Sequence, residues 1–218
     1  MKSFNIHRFL SILRAEYRLS KAPVISFAAT QGSSPFEILI STILSLRTKD
    51  EVTAAASRRL LKRARTPAAM LRLEQPELER LIYPVGFYHT KAGRLLELSR
   101  ILLEKHRGQV PESLEELLKL PGVGRKTANL VLIEGFQKPA MCVDTHVHRI
   151  SNRIGFVATT NPEATEYALR DTLDRCYWME YNKLLVAFGQ TVCKPVSPLC
   201  SLCPAVDMCP RIGVTASR

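Results

Sequence analysis

Leu114-Glu115-Glu116-Leu117-Leu118-Lys119-Leu120-Pro121-Gly122-Val123-Gly124-Arg125-Lys126-Thr127-Ala128-Asn129 is the stretch that decides the fold. Two glycines around one apolar residue allow a tight reversal between two amphipathic helices, which the pattern predicts over residues 111–120 and 125–134. The turn's N–H groups and the exposed start of the second helix can face a phosphate. Such contacts hold a nucleic-acid backbone and carry no base preference. For Gly-x-Gly alone, a plain helix corner is the better reading. Pro121, Gly122, Val123 and Gly124 followed at once by Arg125 and Lys126 favour DNA.

The rest of the chain reads as helices too. Ser34-Pro35-Phe36-Glu37 is a capping box with proline at the first helical position, and it opens an apolar run that reads as a central core helix. Further helices are predicted at 50–64, 66–73, 75–82 and 90–106, the last with a stripe of Leu95, Leu98, Ile101, Leu102 and Lys105. Beyond the hairpin, Gly135 to Pro139 reads as a loop. Helices are then predicted near 145–153, 162–173 and 177–189. No run of alternating residues marks a strand.

The chain has 218 residues, 46% apolar and 23% charged, which is ordinary globular composition and argues against a disordered tail protein. No window approaches the roughly 20 apolar residues of a membrane span. The first 21 residues interrupt their apolar positions with Arg8, Arg14 and Glu16, unlike a secretory signal. An intracellular protein is expected, in the cytoplasm or nucleoid if the source is bacterial. A net charge of +11 points to a polyanionic partner, nucleic acid first.

Four of the six cysteines, Cys193, Cys200, Cys203 and Cys209, crowd into the last 26 residues. Without a secretory signal they read as a metal site. Zinc ribbons use two paired knuckles, and here there is one Cys-x2-Cys pair. The uneven spacing suits a four-iron cubane better. Cys142, in an apolar run, reads as core.

Lys126 falls in the first turn of the second hairpin helix, where the positive end of the dipole disfavours an ammonium ion, as an attacking lysine needs. A phosphate-contacting or merely solvated lysine is the competing reading. Asp144, in Val143-Asp144-Thr145-His146-Val147-His148-Arg149, fits a helix N-cap. A carboxylate there could also steady a developing cation or handle protons. His146 and His148, two apart, do not share a helix face, so a metal pair is rejected.

Taken in order, the LPGVGRKTAN hairpin, the VDTHVHR segment and the C-x6-C-x2-C-x5-C loop closely resemble the endonuclease III family of base-excision repair glycosylases. The resemblance implies an all-α fold of two helical domains flanking a DNA-binding cleft. One is a six-helix barrel over residues 28–138, with the helix-hairpin-helix at about 112–134. The other joins residues 1–27 to 139–218 and holds a [4Fe–4S] cluster on Cys193, Cys200, Cys203 and Cys209. It further implies that Lys126 is the nucleophile and Asp144 the essential aspartate of a bifunctional glycosylase and abasic-site lyase. The partner implied is damaged double-stranded DNA, met by a monomer, with no protein partner inferable. The hairpin residues and His146 would face that DNA.

Mismatch adenine glycosylases share the cluster and aspartate but carry a small hydroxyl residue where Lys126 stands. That monofunctional activity is one alternative, and a non-catalytic damage sensor is another. Two positions depart from the family pattern. Arg47 stands where a gap-filling glutamine is frequent, and Phe87 where a wedge leucine is frequent. The one can hydrogen-bond an orphaned base and the other can stack in the gap. For Phe87 an ordinary core aromatic is the competing reading. The basic surplus is uneven, +7 over residues 58–107 and +4 over 119–153, against −3 over 159–182. The first two segments are expected to face DNA, with binding that weakens as salt rises.

Overall fold

A computed structural model of the chain describes residues 4–17 and 32–218. These are helical, with no strand among them. They divide into two compact units, one joining the N-terminal helix to Pro139–Arg218 and the other ending at Lys138. The expected domain boundary at 27/28 lies outside the described residues.

In the unit ending at Lys138, helix α2 (Pro35–Ser45) is central and buries every residue from Phe36 to Leu44. Its start follows from sequence. The Ser34 hydroxyl accepts from Glu37 N at 3.3 Å, and the Glu37 carboxylate accepts from Ser34 N at 2.7 Å. Burial pushes the Glu37 carboxyl up, but the Ser34 N–H and Arg65 outweigh it and hold the group below its usual range. Helices α3 (Asp50–Arg63), α4 (Pro67–Met70), α5 (Gln75–Ile82), α6 (Tyr88–His106), α7 (Leu114–Leu118) and α8 (Arg125–Phe136) follow. Helix α2 packs against α3, α6 and α8.

Several expectations change. Helix α7 begins only at Leu114, because the Ser113 hydroxyl accepts from Glu116 N and closes the helix there. Helix α4 stops at Met70, three residues short of the expected end. The stripe of α6 runs through Lys91, Leu95, Leu98 and Leu102, whereas Lys105 is exposed. Gly135 is no loop residue: α8 continues through it to Phe136 and ends on Gln137 at φ 54°. A side chain at Gly135 would bring Cβ to 3.3 Å from Pro35 Cα. Here glycine serves close helix packing rather than a turn.

The other unit holds α1 (Ile6–Tyr17), α9 (Thr145–Arg153), α10 (Pro162–Thr172) and α11 (Trp178–Thr191). Asn5 caps α1 through its side chain, and Ile6, Phe9, Leu10 and Leu13 form the buried face, at the spacing of one helical stripe. Helix α11 packs against α1 and α9. Tyr181 is fully buried, its hydroxyl 2.9 Å from Ser151 Oγ, and burial pushes its ionisation upward. Cys142 is buried core, as its apolar surroundings suggest.

Candidate nucleic-acid interface and catalytic residues

The hairpin turns between α7 and α8. Leu117, Leu120 and Val123 anchor it in the core, with Val123 N donating to Leu120 O at 3.2 Å. Gly122 has φ +78°, a conformation that suits glycine, and Arg94 lies close enough that a Cβ would stand 3.3 Å from its Cδ. Gly124 is the N-cap of α8 and supplies no side-chain cap. No acidic residue stands in the first turn, which instead carries Arg125 and Lys126, both half-buried. From Thr127 to Ile133 every residue is buried.

Arg47 and Phe87, forty positions apart, stand together in this same unit. The Arg47 guanidinium carbon lies 4.8 Å from the Phe87 ring centroid, a cation–π contact. Phe87 is 59% exposed, which overturns the core-aromatic alternative. Arg47, Phe87, Thr90, Lys91, Arg94 and the hairpin's Gly122 line one cavity. Sequence reasoning missed Lys91, which is only 6% exposed. Burial pushes its ammonium down to about 8. Its position one turn ahead of Leu95 on the apolar stripe was the available signal.

Asp144 lies in the other unit, at the start of α9. Its Oδ1 accepts from His146 N and Val147 N, each at 2.9 Å. His148 Nδ1 lies 2.7 Å from Thr165 Oγ1, and the His146 ring packs on Gly189, where a Cβ would collide with it. Arg149 lies 3.1 Å from His146 Nδ1 and donates to Cys193 O at 2.8 Å.

One helical turn on, Arg153 donates to Lys194 O and Pro195 O, and its Nη1 is 3.6 Å from Cys193 Sγ. Both arginines escaped sequence reasoning, although their i, i+4 spacing put them on one face. Cys193, Cys200, Cys203 and Cys209 line one cavity, floored by Phe9, Ile154, Phe188 and Val192. Burial, and then the neighbouring thiols, push Cys203 up to about 11, against a backbone hydrogen bond from Ala205. Among the described residues no three thiol, imidazole or carboxylate groups converge to hold a single metal ion.

No helix among the described residues is long and apolar enough to cross a membrane. Residues 40–175 match the HhH-GPD superfamily of base excision DNA repair proteins. Endonuclease III of Thermotoga maritima is 54% identical over 177 residues, which cover 81% of this chain and 83% of that protein. Endonuclease III of Escherichia coli K12 is 40% identical over 177 residues, 81% and 84% of the two chains. Among solved structures, a non-covalent endonuclease III–DNA complex superposes with a TM-score of 0.86 at 33% identity, covering 97% of each chain. A trapped endonuclease III–DNA covalent intermediate, described as an estranged-adenine complex, gives 0.78 at 37% identity over 82% of this chain and 84% of that one. The chain belongs to the endonuclease III family of base-excision repair enzymes.

Proposed function

We propose that this DNA glycosylase removes oxidised pyrimidines from duplex DNA and then cuts the strand 3′ to the abasic site, with Lys126 as nucleophile. The observation that carries the reading is the placement of Lys126 in the first turn of α8, directly behind the hairpin, at a helix start with no side-chain cap and no acid in its first turn. The damaged nucleotide is flipped out of the stack. The Lys126 amine attacks the sugar C1′, the glycosidic bond breaks, and the base leaves with its electron pair and takes up a proton. The amine loses its protons as the sugar ring opens on O4′, leaving an imine. Loss of a C2′ proton then expels the 3′ phosphate. Asp144, whose Oδ1 accepts from two backbone N–H groups, takes the proton work at Lys126 and offsets positive charge on the sugar.

Arg47, Phe87, the turn from Pro121 to Arg125, and His146 are the proposed DNA contacts of a protein acting as a monomer inside the cell. The unit ending at Lys138 is read as the six-helix barrel, and its partner unit as the cluster domain. Four thiols lining one largely apolar cavity fit a [4Fe–4S] group, whose irons take thiolates as ligands. Cys193, Cys200, Cys203 and Cys209 would hold it. Bound there it would staple a loop with little apolar content of its own. About four irons per chain, with a broad band near roughly 400 nm, is the expected analysis. Zinc in their place would overturn that assignment.

The test of the activity is borohydride treatment of the protein on a duplex containing thymine glycol. A covalent protein–DNA adduct is expected. Base release with no adduct would assign the monofunctional reaction instead, and tight binding without turnover would leave a damage sensor.

A further inference from the structure

We propose that Lys91 is a positioning residue whose buried ammonium presets the Arg47–Phe87 pair for the gap left by a flipped base. The inference rests on the reading of Arg47 and Phe87 as gap-filling residues. It begins from an oddity of burial: a lysine is rarely kept inside a core, and this one stands on the same stripe as Leu95, Leu98 and Leu102. A leucine there would extend the apolar face. The ammonium does something a leucine cannot.

Its Nζ donates to Leu44 O at 2.9 Å, to Leu46 O at 2.6 Å and to Thr48 Oγ1 at 3.3 Å. Leu44 and Leu46 stand at the C-terminal end of α2, where carbonyls lack helical partners and the dipole favours a cation. Thr48 Oγ1 also accepts from Gly86 N at 3.1 Å. Gly86 lies so close to the same loop that a Cβ on it would come within 2.6 Å of Arg47 O. Residues 44–48 and 86–91 are thereby tied together by one ammonium, one hydroxyl and one missing side chain.

Arg47 and Phe87 emerge from that tie. Both adopt left-handed backbone, φ 55° and 58°, which a side chain other than glycine holds only when its surroundings enforce it. The enforcement comes from Lys91 on one side and Gly86 on the other. The result is a stacked guanidinium and ring that need little further ordering when DNA arrives.

Two measurements on the whole protein test this. In the free protein, the Arg47 side-chain protons carry a ring-current shift from Phe87, observable by NMR, and Lys91→Met is expected to abolish it. In single-turnover excision of a damaged pyrimidine, Lys91→Met is expected to slow the wild type about 10-fold, yet change the Phe87→Ala variant less than about 2-fold, because the lost positioning has nothing left to act on. Gly86→Ala, which displaces Arg47 without emptying the core, should repeat both results if Lys91→Met fails to fold. A ring-current shift that survives Lys91→Met, or an equal loss in both backgrounds, overturns the proposal. If the wild type excises nothing, the glycosylase reading fails, while the NMR shift still decides whether Lys91 sets the pair.

Discussion

Helices α8 and α9 are consecutive in sequence and begin in opposite ways. At α9, Asp144 closes the end with two hydrogen bonds to N–H groups, and no charge in the first turn opposes the dipole. At α8, Gly124 offers no side chain, and Arg125 and Lys126 put two cations where the dipole opposes them. The first is built for its own stability. The second gives that up, and the loss is offset by the unbroken buried run from Thr127 to Ile133. The difference teaches where the unit's anchoring lies: α8 is held from its middle, so its start needs no side-chain cap.

The comparison breaks first at Lys126. Lys126→Ala is expected to abolish the borohydride adduct on thymine glycol DNA while leaving binding to the same duplex, read by anisotropy, nearly unchanged. An adduct that persists would move the nucleophile elsewhere. Next comes Asp144→Asn, which keeps an oxygen for the cap and removes the charge. Single-turnover excision should fall about 10²-fold with the thermal midpoint held. Asp144→Ala should in addition cost about 1 kcal/mol in denaturant unfolding. Wild-type excision by Asp144→Asn would reduce the aspartate to a cap.

Gly124→Asp makes the bare end resemble the closed one. It should stabilise the fold by about 0.5 kcal/mol and weaken DNA binding about 10-fold, with a changed salt slope. Unchanged affinity would show that this end does not meet phosphate. The smallest effect concerns the third helix start, at α2. Because the Glu37 carboxyl sits below its usual 4.5, its contribution is present above that pH and lost as pH falls through its folded value. Acid unfolding of Glu37→Gln should therefore be less steep with pH in that range.

Helix starts were legible because their partners are three residues away. Ser34 and Asp144 each accept from an N–H within three positions, whereas the same bond at Ser113 did not stand out beside Pro111, where the helix was expected to begin. What escaped depends on groups far along the chain. Gly135 looks like a breaker until Pro35 is seen against it. Lys91 looks like a solvated charge until the end of α2 receives it. The cysteine spacing pointed to one metal site, but not to Arg149 and Arg153 gripping its loop, since 44 and 41 residues separate them from Cys193 and Lys194. The exposed stack of Arg47 on Phe87 was equally hidden, because both residues adopt a backbone that no local pattern announces.

The burial of Tyr181 has a practical consequence. The chain's one tryptophan, Trp178, lies on the same helix, its indole N–H donating to Leu173 O at 2.9 Å. Tryptophan emission and the late appearance of the Tyr181 phenolate both arise from the unit that carries the cysteine loop. Melting followed by tryptophan emission is thus a one-sided witness. It would log the collapse of the loop's unit and stay silent while the hairpin's unit came apart, so the two need separate probes before any single midpoint is assigned to the whole chain.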